Sequence, residues 1–285
     1  MKRMLITGAG GFLGSRAAAH FRETCLVTAP THREMDITDE ASVRQFFKEA
    51  RPELVIHCAA VSDTGACQRH PEASRLVNLT GSEHIAKAAG DAGAKCLLCS
   101  SDQIYFGSTA AGAHTEDERL SPANVYGRQK LEAEERCLAL NPDCVLLRLT
   151  WMYDPVSVNP GEHSDFFRTL LANLEAGRIL AYPVHDLRGL TYAGDVVQNM
   201  EKAFSLPGGV YNFGSENDKN PYDTVREAFR SLGFSTPLLA PNEEAFRPNP
   251  RNISMSLAKL KRHGIDFPST FQALTEHLAP FLKER

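Results

Sequence analysis

No stretch of this 285-residue chain holds the roughly 18–20 consecutive apolar residues that span a bilayer. Excess positive charge is missing too: 31 Lys and Arg stand against 35 Asp and Glu, a formal net charge of −4. That balance gives neither the electrostatic footprint of a nucleic-acid binder nor a polybasic membrane anchor. Tryptophan occurs once, at Trp151. The seven cysteines are odd in number and irregularly spaced, which argues against a disulfide framework. Cys96 and Cys99 come nearest to a motif, but no second Cys/His pair stands at ligand spacing beside them. An extended strand also points them to opposite faces, so they read as small apolar residues of a buried strand. No metal is expected. The opening MKRMLITGAG enters a structured pattern at once, with no apolar leader, so a cytoplasmic setting is expected.

What is present is alternation. Hydrophobic residues make up 42% and charged residues 23%, enough for one large core or a domain with a smaller lobe. RMLITG (3–8), TCLVTA (24–29), ELVIHCAA (53–60), KCLLCSS (95–101) and CVLLRLTW (144–151) read as strands. Between them lie the helical patterns GFLGSRAAAHF (11–21), TDEASVRQFFKEA (38–50), NLTGSEHIAKAAGDAG (78–93) and a further helix around Tyr126. Such spacing predicts an α/β fold, a doubly wound parallel sheet of the Rossmann type with helices on both faces. Past Trp151 proline and glycine become frequent, as in YDPVSVNPGEH (153–163) and LLAPNEEAFRPNPRN (238–252). Residues 1–151 are therefore assigned to the sheet domain and 152–285 mainly to a smaller, interleaved lobe. Returns to the sheet are expected around 185–214, such as GVYNFG (209–214).

TGAGGFLG (7–14) follows the first strand and opens the first helix. Gly8, Gly11 and Gly14 stand at G-x-x-G-x-x-G spacing. Glycines let the backbone turn tightly and admit a diphosphate to the helix N-terminus, whose N–H groups and dipole favour anions. Gly8, Gly11, Phe12, Leu13 and Gly14 are the candidate dinucleotide contacts of this turn, which makes 1–151 a dinucleotide-binding domain and the lobe a substrate-binding one. After the second strand, TAPTHRE has no acid at the strand end to grip a ribose 2′-hydroxyl, but carries Arg33. Arg33 can neutralise a 2′-phosphate, which favours NADPH over NADH.

VYGRQKLEAE (125–134) sets Tyr126 and Lys130 one helical turn apart on one face. With the glycine turn, this pair resembles the extended short-chain dehydrogenase/reductase superfamily, and further stretches are similar to the dTDP-4-dehydrorhamnose reductases within it. MDITD (35–39) is similar to the segment that holds the adenine, here Asp36 and Ile37. HCAAVS (57–62) looks like the strand end that lines the cofactor, giving Ala59 and Ala60, with Ser62 on the substrate side. VNLTGS (77–82) carries Asn78 where the family has a structural, cofactor-side asparagine. SSDQIYFG (100–107) resembles S-T-D-Y-V-F, with Ser101 replacing the catalytic threonine. SPANVYGRQKLEAE (121–134) is close to S-P-x-N-V-Y-G-x-x-K-L-x-x-E. LRLTWMY (147–153) resembles the strand whose tryptophan contacts the deoxysugar, here Trp151. HDLRGLTYAGDVV (185–197) has an Arg188 more like the epimerase and dehydratase relatives, where it meets a nucleotide diphosphate. NPRNISMSLAKL (249–260) resembles R-P-x-N…L-D-x-S-K-L, with Arg251 a second diphosphate candidate.

The resemblance implies an NAD(P)-dependent oxidoreductase that reduces a keto group on a nucleotide-linked sugar, with Ser101, Tyr126 and Lys130 catalytic. Tyr126 and Lys130 would also contact the cofactor. Ser62, Asp102, Trp151, Arg188 and Arg251 are the substrate candidates. An ammonium within roughly 4–6 Å is expected to lower the phenol from its ordinary pKa near 10. Two alternatives stand: an epimerase or dehydratase that recycles NAD, favoured by Arg188, and a non-catalytic cofactor-binding regulatory subunit. A homodimer is expected by analogy. His57, inside an apolar strand, reads as a core histidine with its hydrogen bonds satisfied.

Overall fold

The structure is a computed structural model that describes residues 1–108, 110–159, 162 and 164–282. Pro160, Gly161 and His163 of the proline- and glycine-rich stretch lie outside the described residues. The first half runs β1 (Lys2–Thr7), α1 (Phe12–Phe21), β2 (Cys25–Thr28), α2 (Glu40–Ala50), β3 (Leu54–His57), α3 (Thr64–Arg69) and α4 (Pro71–Arg75). A π-helical stretch, Leu76–Gly81, leads into α5 (Ser82–Asp91), β4 (Lys95–Ser101), a 3₁₀ turn at Asp102–Tyr105, α6 (Val125–Leu140) and β5 (Val145–Leu149). Then follow β6 (Trp151–Tyr153), α7 (Phe166–Glu175), β7 (Leu180–Pro183), β8 (Asp186–Leu187), β9 (Leu190–Tyr192), α8 (Ala193–Ala203) and β10 (Gly209–Phe213). The chain ends with α9 (Pro221–Ser231), β11 (Leu239–Asn242), β12 (Arg251–Asn252), α10 (Ala258–Lys261) and α11 (Thr270–Leu282).

The expected doubly wound sheet is present: six strands in the order β10-β5-β4-β3-β1-β2, all parallel. β3 and β5 are buried along their whole length, as strands covered on both faces must be. Side chains alternate between two cores. Met4, Ile6, Leu97 and Leu147 pack with α1 and α8 on one face, while Leu5, Val55, Leu98 and Leu146 pack with α2, α5 and Cys137 of α6 on the other. A third core, built from Tyr153, Phe167, Leu170, Val225, Phe229 and Leu274, belongs to α7, α9 and α11. Among the described residues no helix is long and apolar enough to cross a membrane.

The expected single strand over 144–151 breaks in two. β5 stops at Leu149, and Trp151–Tyr153 pairs instead with β9, outside the main sheet. Local pattern does not reveal this, because the competing partner lies some forty residues on, with Trp151 opposite Leu190.

Strand order reverses between β1 and β3, so a crevice opens at their carboxyl ends, the usual ligand position in such sheets. The glycine turn lines it. Gly8 adopts φ +70°, and a Cβ there would lie 2.6 Å from Ala59 N. A Cβ on Gly14 would lie 2.2 Å from Gly8 O. Both positions admit glycine alone, because the β1 turn presses on the segment after β3 and on its own helix.

Candidate active site

α6 begins at Asn124, whose side-chain oxygen accepts from Gly127 N at 2.6 Å. The same side chain donates to Gln103 Oε1 at 3.0 Å, tying the start of α6 to the 3₁₀ turn after β4. A Cβ on Gly127 would meet Gln103 O at 2.4 Å, so glycine lets helix and turn touch. Ser101 caps that turn, its Oγ accepting from Gln103 N at 3.2 Å and donating to Asp102 Oδ1 at 3.3 Å. The Ser101 hydroxyl is near enough to the Tyr126 phenol to favour its ionised form. Tyr126 is 7% exposed and Lys130 4%.

Lys130 Nζ donates to Cys99 O at 2.9 Å and stands 5.9 Å from the Tyr126 ring centroid. This corrects the expected acidity of the phenol. Burial pushes the Tyr126 pKa well above its ordinary value, and the Ser101 hydroxyl offsets only part of that. Burial likewise lowers Lys130. The ammonium bonds a backbone carbonyl rather than the phenol, and desolvation of the charged form dominates. The result is a phenol that holds its proton at neutral pH, the form a proton donor needs.

A chain of contacts leads from Ser101 into the second lobe. Arg188 Nη2 donates to Asp102 Oδ2 at 2.9 Å, and the guanidinium lies 4.9 Å from the Trp151 ring centroid. Arg188 Nε is buried without a hydrogen-bond partner among the described residues. Trp151 is 42% exposed and meets Phe166 edge-on at 5.5 Å, so it is not a core residue. Burial raises the Asp102 carboxyl, while the Arg188 and Arg251 charges pull it down. Ser101, Asp102, Tyr126, Lys130, Trp151 and Arg188 thus come together. Ser62 is exposed on the loop after β3. Arg251 departs from expectation: Asp186 takes its fork in two bonds of 2.7 Å, and Phe246 stacks on it at 4.1 Å. These bonds engage Nε and Nη2 and hold the guanidinium toward Asp186.

On the cofactor side, α1 starts at Gly11 with no side-chain cap, which leaves its first N–H groups facing the crevice end of the helix. Leu13 is core, and the Phe12 ring, half-buried, lies under the Arg16 guanidinium at 3.9 Å. Ala59 and Ala60 are half-buried beyond β3. Asp36 Oδ1 accepts from Thr38 N and Oγ1 at 2.9 and 2.8 Å, and Ile37 packs against Gly81. Arg33 is exposed just past β2. Asn78 is wholly buried; it bonds Val61 N and O and Gln129 Oε1, fixing the crevice wall to α6. Its groups are consumed by the scaffold. The uncapped helix start and glycine cradle fit a dinucleotide. Among the described residues no cluster of three or more His, Cys, Asp or Glu could hold a metal.

Two contributors escaped the sequence reading. Arg16 of α1 is buried and reaches Asp154 Oδ2 at 2.6 Å, Val156 O at 2.8 Å and Glu162 Oε1 at 3.0 Å. With Asn159 Nδ2 donating to Gly10 O at 3.4 Å, it straps the loop after β6 onto the glycine turn. The available signal was one arginine inside the small-residue run SRAAAHF. The other contributor is the pair of facing thiols of Cys58 and Cys99, whose partnership appears only when β3 and β4 are laid side by side.

Comparison with known proteins agrees with this fold. The family model described as the RmlD substrate binding domain matches residues 1–283. A dTDP-4-dehydrorhamnose reductase of Mycolicibacterium smegmatis is 31% identical over 259 residues, 88% of this chain and 76% of that protein. Methionine adenosyltransferase 2 subunit beta of Xenopus laevis is 27% identical over 306 residues, 100% of this chain and 89% of that one. The crystal structure of dTDP-4-dehydrorhamnose reductase from Bacillus anthracis in complex with NADP shares the fold, with a TM-score of 0.83 over 100% of this chain and 98% of that one at 22% identity. A family match along nearly the full length, a reductase relative above 30% identity and a shared Rossmann sheet lead to one conclusion: the chain belongs to the RmlD substrate binding domain family, within the extended short-chain dehydrogenases/reductases.

Proposed function

We propose that this protein reduces a keto group on a nucleotide-linked sugar with NAD(P)H, in a reaction of the dTDP-4-dehydrorhamnose reductase type. The observation that carries the proposal is the convergence of Ser101, Tyr126 and Lys130 beside the glycine-lined crevice. Gly8, Gly11 and Gly14, with the backbone of Phe12, Leu13, Ala59 and Ala60, would hold the dinucleotide. Asp36 and Ile37 would border the adenine, and Lys130 the ribose. When bound, the reduced nicotinamide supplies the hydride. Ser101 orients the substrate carbonyl through its hydroxyl, and Tyr126 delivers its proton to the carbonyl oxygen. The high phenol pKa supports that direction of transfer. Trp151 offers a flat apolar wall to a sugar ring, and Arg188 offers its partnerless Nε to polar groups of the nucleotide. Residues 152–285 are then mainly the substrate lobe. Exposed Arg33 supports NADPH, whose 2′-phosphate it would meet. The proposal includes a homodimer, by analogy, and a cytoplasmic setting.

A screen of nucleotide-linked keto-sugars, following absorbance of NADPH and NADH, tests this reading. Tyr126→Phe is expected to lose at least ~100-fold in turnover while keeping dinucleotide affinity. Undiminished turnover overturns the assignment. Arg188 favours a second reading, an epimerase or dehydratase, because an unsatisfied guanidinium nitrogen beside the pocket suits a diphosphate. Stoichiometric NADPH consumption excludes that reading. It also excludes a purely regulatory subunit.

A further inference from the structure

Cys58 stands one residue past β3, and Cys99 two residues short of the end of β4. His57 pairs with Leu98 in parallel register, so the two cysteines are the next matched pair along the strands. Their sulfurs lie 3.6 Å apart. Neighbouring strands are spaced ~4.8 Å apart, inside the ~4.4–6.8 Å Cα separation a disulfide accepts. Closing the bond brings the sulfurs from 3.6 Å to the ~2.0 Å of a disulfide. Both residues are half-buried at the carboxyl edge of the sheet. Cys58 leads directly into Ala59, against which Gly8 packs, and the Cys99 carbonyl holds Lys130. The molecule contains its own contrast. Cys96 of β4 and Cys144, one residue before β5, are also neighbours, but both are fully enclosed in the core under α2 and α5. The hydrogen bond from Cys58 holds the Cys99 thiol below its ordinary value, despite burial, and the Lys130 charge adds to that.

We propose that Cys58 and Cys99 form a thiol modification site, joined by a peroxide into a reversible disulfide at the floor of the dinucleotide crevice. The Cys99 thiolate attacks a peroxide oxygen, the O–O bond breaks, and one water leaves with a sulfenic acid on Cys99. The Cys58 thiol then attacks that sulfur; the S–S bond forms and the sulfenic hydroxyl leaves as a second water. Two thiols lose two electrons and two protons, and one hydrogen peroxide becomes two waters. Closing the bond draws on the strand ends that carry the Lys130 acceptor and the Ala59 contact, so oxidation weakens dinucleotide binding. That last step rests on the crevice being the dinucleotide site.

The full chain is treated with hydrogen peroxide, its free thiols are alkylated with iodoacetamide, and it is digested without reduction for mass spectrometry. The expected result is a Cys58–Cys99 peptide pair, two hydrogens lighter than the separate thiol peptides and released by dithiothreitol, with Cys96 and Cys144 alkylated as monomers after denaturation. Cys58→Ser abolishes the link. Titration with NADPH is expected to show about 10-fold weaker binding after oxidation, a typical coupling between sites. Dithiothreitol restores that affinity, and peroxide does not change it in Cys58→Ser. If Cys58 and Cys99 are both alkylated after peroxide, or either links elsewhere, the modification site is overturned. If the link forms and NADPH binding is unchanged, the coupling is overturned. If the reduced protein binds no dinucleotide, the crevice reading fails while the mapped disulfide stands.

Discussion

His57 ends β3 with Thr7 Oγ1 at 2.7 Å from Nδ1 and Ser82 Oγ at 3.1 Å from Nε2. Burial first, and the Lys130 charge second, bring its pKa down to about 3. In the unfolded chain a histidine titrates near ~6.5. Between those values the unfolded state takes up a proton that the folded state refuses, so stability is full above about 6.5 and is lost as pH falls. Each unit of acidification costs about 1.4 kcal/mol, or about 2 kcal/mol by pH 5. Urea unfolding at pH 7 and pH 5 is expected to show that extra loss in the native protein and not in His57→Gln. Equal losses in both assign the acid sensitivity to other groups. At this scale the sequence revealed identities better than states. The Tyr126 and Lys130 pair was visible as one helix face, and Ser101 was picked out only by the family resemblance of SSDQIYFG. The phenol's raised pKa was not visible, because burial comes from the assembled crevice. The partner of Arg251 was equally invisible, since Asp186 lies 65 positions away.

α6 puts Tyr126, Lys130 and Glu134 on successive turns. The first two face the crevice; Glu134 turns inward to Arg148 of β5, with Nη2–Oε2 at 2.7 Å, and also accepts from Ser100 of β4. Both partners of this ion pair are buried. Tyr105 completes the network, accepting from Arg148 Nη1 at 2.7 Å and donating to Asn212 Oδ1 at 2.7 Å. Removing one member leaves a buried charge alone, so Glu134→Ala is expected to lose ~3–5 kcal/mol in urea unfolding. Replacing both, Glu134→Ala with Arg148→Met, is expected to recover much of that. A double variant no better than the single one contradicts the unpaired-charge explanation. Elements with regular periodicity, α1, α2, α5 and α6, were legible from sequence. The break between β5 and β6 was not, and neither was the π-helical stretch at 76–81, where Gly81 makes room for Ile37. In each case a distant partner decides the local backbone.

For the molecule as a whole, the chain leaves the main sheet after β5 and comes back only at β10, which pairs along all of β5. α8 returns with it to pack on α1. GVYNFG signalled the first return by its apolar strand pattern; the second had no signal, because an amphipathic helix does not name the surface it covers. A fragment of residues 1–151 would lack both, baring the β5 edge and the apolar face of α1. It is expected to aggregate, or to unfold without cooperativity, by size-exclusion chromatography and circular dichroism. A monomeric fragment with a sharp transition contradicts this. The same interleaving sets a timetable during synthesis. A nascent chain carries Val145–Leu149 as an open, apolar strand edge until residue 213 has cleared the ribosome. Translation pauses within 150–208 therefore prolong the period in which a chaperone must guard that edge.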